Sequence, residues 1–171
     1  MKNKNEKLDK KKLLQLIQFF AILISIIGLY YAIVMFLSEE IFEPYLKLNA
    51  LLSGALIKIF DSTVIIDKNM IITNKINMIL SFGCEGSEAL VIFLAGVLAF
   101  PANWKYKMKG ILIGFPLLYV LNLFRVLILY LVVLIDASVF DLFHSEILPV
   151  VFIVVSLLFW YYWLKNIQVK S

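Results

Sequence analysis

The chain has 171 residues, 63% of them hydrophobic and 16% charged, a balance far outside the range of soluble globular domains. Its apolar residues fall into runs long enough to cross a bilayer, so the expected class is an all-α polytopic membrane protein with about four transmembrane helices. The formal charge of +4 would suit a nucleic-acid binder, but the position of the lysines gives it another origin.

In chain order, residues 13–37 carry no charge and as a helix would measure roughly 37 Å, longer than a hydrocarbon core of about 30 Å, which predicts a tilted span. The lysine-rich start mimics a secretory signal. The apolar run is too long for one, however, and ends in Ser38-Glu39-Glu40 with no small-residue cleavage site, so it reads as an uncleaved anchor. Residues 39–85 form the longest non-spanning segment. Within it, 46–60 is apolar but only about 15 residues long and flanked by Lys47 and Lys58, which suits an interfacial or re-entrant helix rather than a fifth span. After Asp61, short β-branched pieces at 63–66, 70–73 and 76–82 alternate with Asp-Lys-Asn and Asn-Lys turn signals, predicting a small hairpin or three-strand cap. Further spans are expected at 86–102, at 110–135 and at 147–164, the last with Pro149 in its first turn, where proline is tolerated. The whole chain, 1–171, reads as a single membrane domain.

Orientation follows from the basic residues in the short flanking segments. Lys2, Lys4, Lys7, Lys10, Lys11 and Lys12 precede the first span, Lys105, Lys107 and Lys109 lie between the second and third, and Lys165 and Lys170 follow the fourth. Only Lys47, Lys58, Lys68 and Lys75 fall on the other side, and ten of the 12 acids fall there with them. Both termini are therefore expected in the cytoplasm and 39–85 outside. The net charge is explained by topology, and the nucleic-acid reading loses its support.

Three polar residues call for reasons. Arg125 lies near the middle of the third span, where a guanidinium costs several kcal/mol unless paired or hydrated, so it marks a functional site by default. Asn122 is one helical turn away on the same face. The plainer reading of the pair is a polar clamp between helices. Cys84, the only cysteine, sits in Gly83-Cys84-Glu85-Gly86-Ser87-Glu88 at the start of the second span. One thiol excludes an internal disulfide, a two-cysteine relay and a four-thiolate metal site. A helix N-terminus favours its thiolate, whereas Glu85 and Glu88 oppose it, so a cationic neighbour is needed. A lone membrane cysteine is otherwise structural. His144, the only histidine, is expected in the short outer loop before the fourth span, where a solvated surface role is the plain alternative. Topology places Cys84, His144 and the outer half of the third span on one side. One thiol, one base and one permanent cation there make a cysteine acyl-transfer set of nucleophile, proton acceptor and oxyanion stabiliser.

These residues resemble a known family. Gly83-Cys84-Glu85-Gly86 opening the second span, Asn122-Leu123-Phe124-Arg125 within the third, and His144 before the fourth look like the exosortase/archaeosortase membrane transpeptidases, most like the small single-domain subtype called exosortase H. The likeness covers 83–164 well and the first 82 residues in layout. Where the family often has a tryptophan soon after the histidine, this chain reads Ser145-Glu146-Ile147-Leu148-Pro149. The resemblance implies catalytic Cys84, Arg125 and His144, with Asn122 and Glu88 supporting or binding substrate, and no cofactor or metal. It implies substrate proteins ending in a short motif, a transmembrane helix and a basic tail, an acceptor that could be a lipid, glycan or amine, and membrane lipid as the only other partner. The location it implies is the plasma membrane of a prokaryote, with the active site outside. Two other readings stand beside it: hydrolysis of the same thioester in place of transfer, and a non-enzymatic assembly or transport subunit in which Arg125 clamps helices.

Overall fold

The computed structural model describes residues 2–36, 41–81 and 86–165, with side chains from residue 10 onward. In chain order these contain α1 (Lys2–Phe36), α2 (Glu43–Ile57), β1 (Ile65–Asp67), β2 (Met70–Ile72), β3 (Asn77–Ile79), α3 (Ser87–Ala99) and α4 (Trp104–Ile135). A 3-10 turn (Ala137–Val139), α5 (Phe140–Leu142), a π-turn (Phe143–Ile147) and α6 (Leu148–Lys165) follow.

Among the described residues three helical stretches are long and apolar enough to cross a membrane, Lys10–Phe36, Trp104–Ile135 and Ala137–Lys165. The second expected span, 86–102, is the apolar helix α3, which at 13 residues measures only about 20 Å. It runs antiparallel to α1. Its first turn meets Tyr30, through a 2.6 Å bond from Ser87, and Phe100, just past its end, stands edge-on to Phe19. The outward flanks of α1 and α6 carry Leu16, Ile24, Ile153 and Leu157 more than half exposed, a surface suited to lipid and not to water.

The centre of the bundle is α4, with Leu118, Asn122, Val126 and Tyr130 all buried along it. Gly110 and Gly114 are spaced four apart on one face, and a Cβ at the first would strike the Trp163 indole, at the second the Phe93 and Phe159 rings. That small-residue face lets α3 and α6 close on α4, the packing that membrane helices use in place of a hydrophobic drive. Trp163 Nε1 then donates to Tyr106 O at 3.1 Å, fixing the bottom of α6.

Three boundaries differ from expectation. The third span's helix starts at Trp104 rather than 110, because Lys105 and Lys109 sit exposed on a helical turn that nothing breaks and Lys107 donates to the Leu98 carbonyl. The strands are three residues each; β2 and β3 fall within the expected stretches, and β1 runs one residue past 63–66 to Asp67. The stretch before 147 is helical rather than a loop, and so is His144 within it.

α2 and the sheet form a cap on one end of α4. Tyr45, in the first turn of α2, lies 6.5 Å from Tyr119 between ring centroids, and Asp61, just past its other end, bonds Tyr130. Those α4 positions are 11 residues apart, roughly 16 Å, so α2 lies lengthwise along α4. The strands make an antiparallel β1-β2-β3 meander, and Gly54 lets α2 approach it, since a Cβ there would meet Ile66 at 2.8 Å. Ala50, Ile57, Val64, Ile71 and Leu80 share one core with Val126, Leu127 and Tyr130. A polar knot locks it. Asp61 accepts from Thr63 Oγ1 at 2.6 Å and Thr63 N at 2.9 Å, and from the buried Tyr130 hydroxyl at 2.6 Å. These donors, Thr63 and then Tyr130, hold the Asp61 carboxyl down at about 2.

Candidate functional site

Gly86 opens α3 with φ +78°, the left-handed conformation that glycine adopts without strain. A second demand acts on the same residue: a Cβ there would come within 2.6 Å of both Cγ and Oδ1 of Asn122. Asn122 is 1% exposed, so the side chain from the centre of α4 is seated directly on the backbone that leads into α3. From the other side α1 grips the same turn. Tyr30 and Ser87 share a 2.6 Å hydroxyl bond, and Tyr31 donates to Glu88 Oε1 at 3.3 Å. Glu88, expected to support the site, thus faces α1 at the mouth of this turn.

One turn beyond Asn122, Arg125 is half-buried, and its Nη2 donates to the backbone carbonyl of His144 at 3.2 Å. The availability of that carbonyl follows from the sequence. Leu148 N–H bonds to Phe143 O, a five-residue spacing, and the next partner in a π-turn would be residue 149, a proline with no N–H. Pro149 cannot donate to the His144 carbonyl, and the guanidinium does. The His144 ring stacks on Phe140, with centroids 5.3 Å apart and planes 14° from parallel, which fixes its direction. The correction to the expected loop thus has a physical cause: the helix that becomes α6 begins before the histidine and absorbs Pro149 by widening one turn.

Of the five expected site residues, Asn122 meets Gly86 at the start of α3, Glu88 faces α1 from the first turn of α3, and Arg125, one turn further along α4, holds the His144 carbonyl. Cys84, with Glu85, lies outside the described residues, so its expected proximity to Arg125 is not read from the structure. Tyr30, Tyr31 and Ser87 take part in this region and were not singled out in the sequence; a Tyr-Tyr pair near the end of a span has the look of an ordinary interfacial anchor. Among the described residues no three His, Cys, Asp or Glu side chains are grouped to hold a metal ion.

The chain matches the family model described as transmembrane exosortase (Exosortase_EpsH) over residues 13–161. No curated protein and no solved structure matches it.

Proposed function

Because this chain belongs to the transmembrane exosortase family, we propose that it is a membrane-embedded cysteine transpeptidase or protease that cleaves C-terminal sorting signals of secreted proteins. The observation that carries this reading is the seating of Asn122 on Gly86. Gly86 closes the Gly83-Cys84-Glu85-Gly86 stretch, and Asn122 is one turn from Arg125, so the described end of that stretch meets the helix that presents Arg125. Arg125 in turn holds the backbone of His144. These contacts link Gly86, Asn122, Arg125 and the His144 backbone along α4 and support the reading.

In the proposed reaction the Cys84 sulfur attacks a substrate peptide carbonyl while His144 accepts the thiol proton. The C–S bond forms, negative charge develops on the carbonyl oxygen, and the Arg125 guanidinium offsets it. Collapse breaks the C–N bond, and His144 returns its proton to the leaving amine. The thioester is then resolved by an acceptor amine or hydroxyl, from a lipid, glycan or protein, or by water. The substrate's own transmembrane helix confines the scissile bond at this depth, replacing affinity by proximity. The lysine distribution supports a site on the extracytoplasmic face of the prokaryotic plasma membrane, with both termini in the cytoplasm.

A second reading is favoured by the same Arg125 contact: a non-enzymatic assembly or transport subunit in which Arg125 only clamps α4 to the 143–147 turn. Arg125→Lys separates the two. An ammonium can still donate one bond to the His144 carbonyl, so a clamp survives, whereas a catalytic role loses the planar fork. Processing of a co-expressed substrate, followed by immunoblot of the full-length and cut forms, should fall at least tenfold in Arg125→Lys. Near-normal processing in that variant would reduce Arg125 to a clamp, and processing unchanged in Cys84→Ala as well would favour the non-enzymatic subunit.

A further inference from the structure

At the sheet-bearing end of the bundle a cavity of about 490 Å³ runs beside β3, between the strand's residues 76–79 and a far wall of Val133, Ala137 and Phe140. β3 is an edge strand. Its hydrogen-bonding phase is fixed by its neighbours. Leu80 N donates to Asn69 O at 2.9 Å and Thr73 N to Ile76 O at 3.1 Å, and the register pairs Ile71 with Met78. Ile76, Met78 and Leu80 therefore turn their backbone groups toward β2, while Asn77 and Ile79 turn theirs to the open side. Two N–H and two C=O groups thus face outward at the spacing of alternate strand residues, about 6.8 Å.

We propose that this groove is the subsite for the extended part of the substrate's sorting segment, which adds to β3 as a fourth strand. The inference rests on the cysteine-transpeptidase reading above and deepens it. Only an extended peptide matches a row of outward backbone donors and acceptors at that repeat, and strand addition to a sheet edge is an established way of binding one. The groove adjoins the candidate site at its far wall, where Phe140 is the ring on which His144 stacks. Val133 lies eight residues past Arg125 on α4, about 12 Å toward the sheet, which three or four extended residues span. The residues held in the groove are accordingly those three or four positions before the scissile bond, on the side of the secreted passenger. The apolar walls of Val133, Phe140 and Met78 select uncharged side chains at alternate positions of that segment.

The test uses the full-length protein in its membrane with, as probe, a co-expressed secreted protein from the same genome that ends in a short motif, a hydrophobic helix and a basic tail. In a Cys84→Ala background, a photo-crosslinking phenylalanine analogue is placed at Ile79 and, separately, at Ile65 on the opposite sheet edge. The two are matched in exposure, 63% and 64%. Crosslinks from 79 that map three or four residues before the cut, with none from 65, support the subsite. Equal crosslinking at both positions, or none at 79 while Cys84→Ala still leaves the probe uncut, overturns the subsite and leaves the cysteine reading standing. Normal cutting in Cys84→Ala overturns both. Independently, Ile79→Pro removes an outward N–H without breaking a bond to β2, and proline is tolerated at such edge positions. With Cys84 intact it should lengthen the processing half-time by about three- to tenfold, the worth of one lost hydrogen bond. Unchanged half-time in a normally accumulating Ile79→Pro protein counts against strand addition.

Discussion

Gly86→Ala isolates the contact that joins the start of α3 to the centre of α4. The new methyl group meets two separate obstacles. At φ +78° an L side chain carries roughly 1–2 kcal/mol of strain. Its Cβ would also fall within 2.6 Å of Asn122 Cγ and Oδ1, and displacing a buried side chain adds about 1–3 kcal/mol. Together the loss is about 2–5 kcal/mol, which at about 2–4 °C per kcal/mol lowers the melting temperature by between about 4 and 20 °C. Intrinsic-fluorescence melting of the purified protein in detergent would read it. The two parts separate in a double-mutant cycle with Asn122→Ala, which opens the space but leaves the backbone strain. The double variant should be less destabilised than the sum of the singles by about 1–3 kcal/mol. Additive singles, or a Gly86→Ala protein that melts like the parent, would show that Asn122 does not seat on this turn.

Other outcomes follow from the same geometry. Arg125→Ala removes the donor to the His144 carbonyl and should destabilise the protein by about 1.5–3 kcal/mol in the same melting assay, with Arg125→Lys recovering much of that stability but not the processing. Tyr30→Phe deletes the hydroxyl bonded to Ser87 and should slow substrate processing by several-fold while leaving membrane insertion unchanged, as judged by membrane fractionation. The Asp61 knot sets an acid limit. Its folded carboxyl titrates at about 2, below the ordinary value near 3.9, so its contribution is complete above about pH 4 and is lost as pH falls toward 2. Protease susceptibility of the cap should rise across that window in the parent, and Asp61→Asn should show at neutral pH the susceptibility that the parent shows only in acid.

The parts of this architecture that were legible in the sequence are those whose physics is local. Charge-free runs marked the long helices because lipid leaves no other way to satisfy the backbone, and β-branched stretches broken by Asp-Lys-Asn and Asn-Lys marked the three strands. Arg125 and Asn122 were legible because burying such groups in a span is costly. The rest depended on partners far away in sequence. The Gly110/Gly114 face announces close packing only once Phe93, Phe159 and Trp163 are known to lie against it. The depth of α2 was open because an apolar 15-residue helix flanked by lysines fits either the interface or the side of α4. His144 was placed in a loop since Pro149 reads as a helix start. The π-turn that lets the helix begin earlier is met by a partner distant in sequence, Arg125, nineteen residues upstream, which donates to the His144 carbonyl.

In the proposed reaction Cys84 forms a thioester with a substrate brought beside the stretch of α4 that carries Asn122 and Arg125 and binds the backbone of His144. Mass spectrometry of the C-terminus of a co-expressed substrate carrying the motif, helix and basic tail tests it most directly. The account predicts a new C-terminus joined to an acceptor, or to Cys84 itself when the acceptor is depleted, and an uncut substrate in Cys84→Ala and His144→Ala. A free carboxylate at the cut would assign hydrolysis to the same thiol, and an identical processed C-terminus in Cys84→Ala would contradict the account.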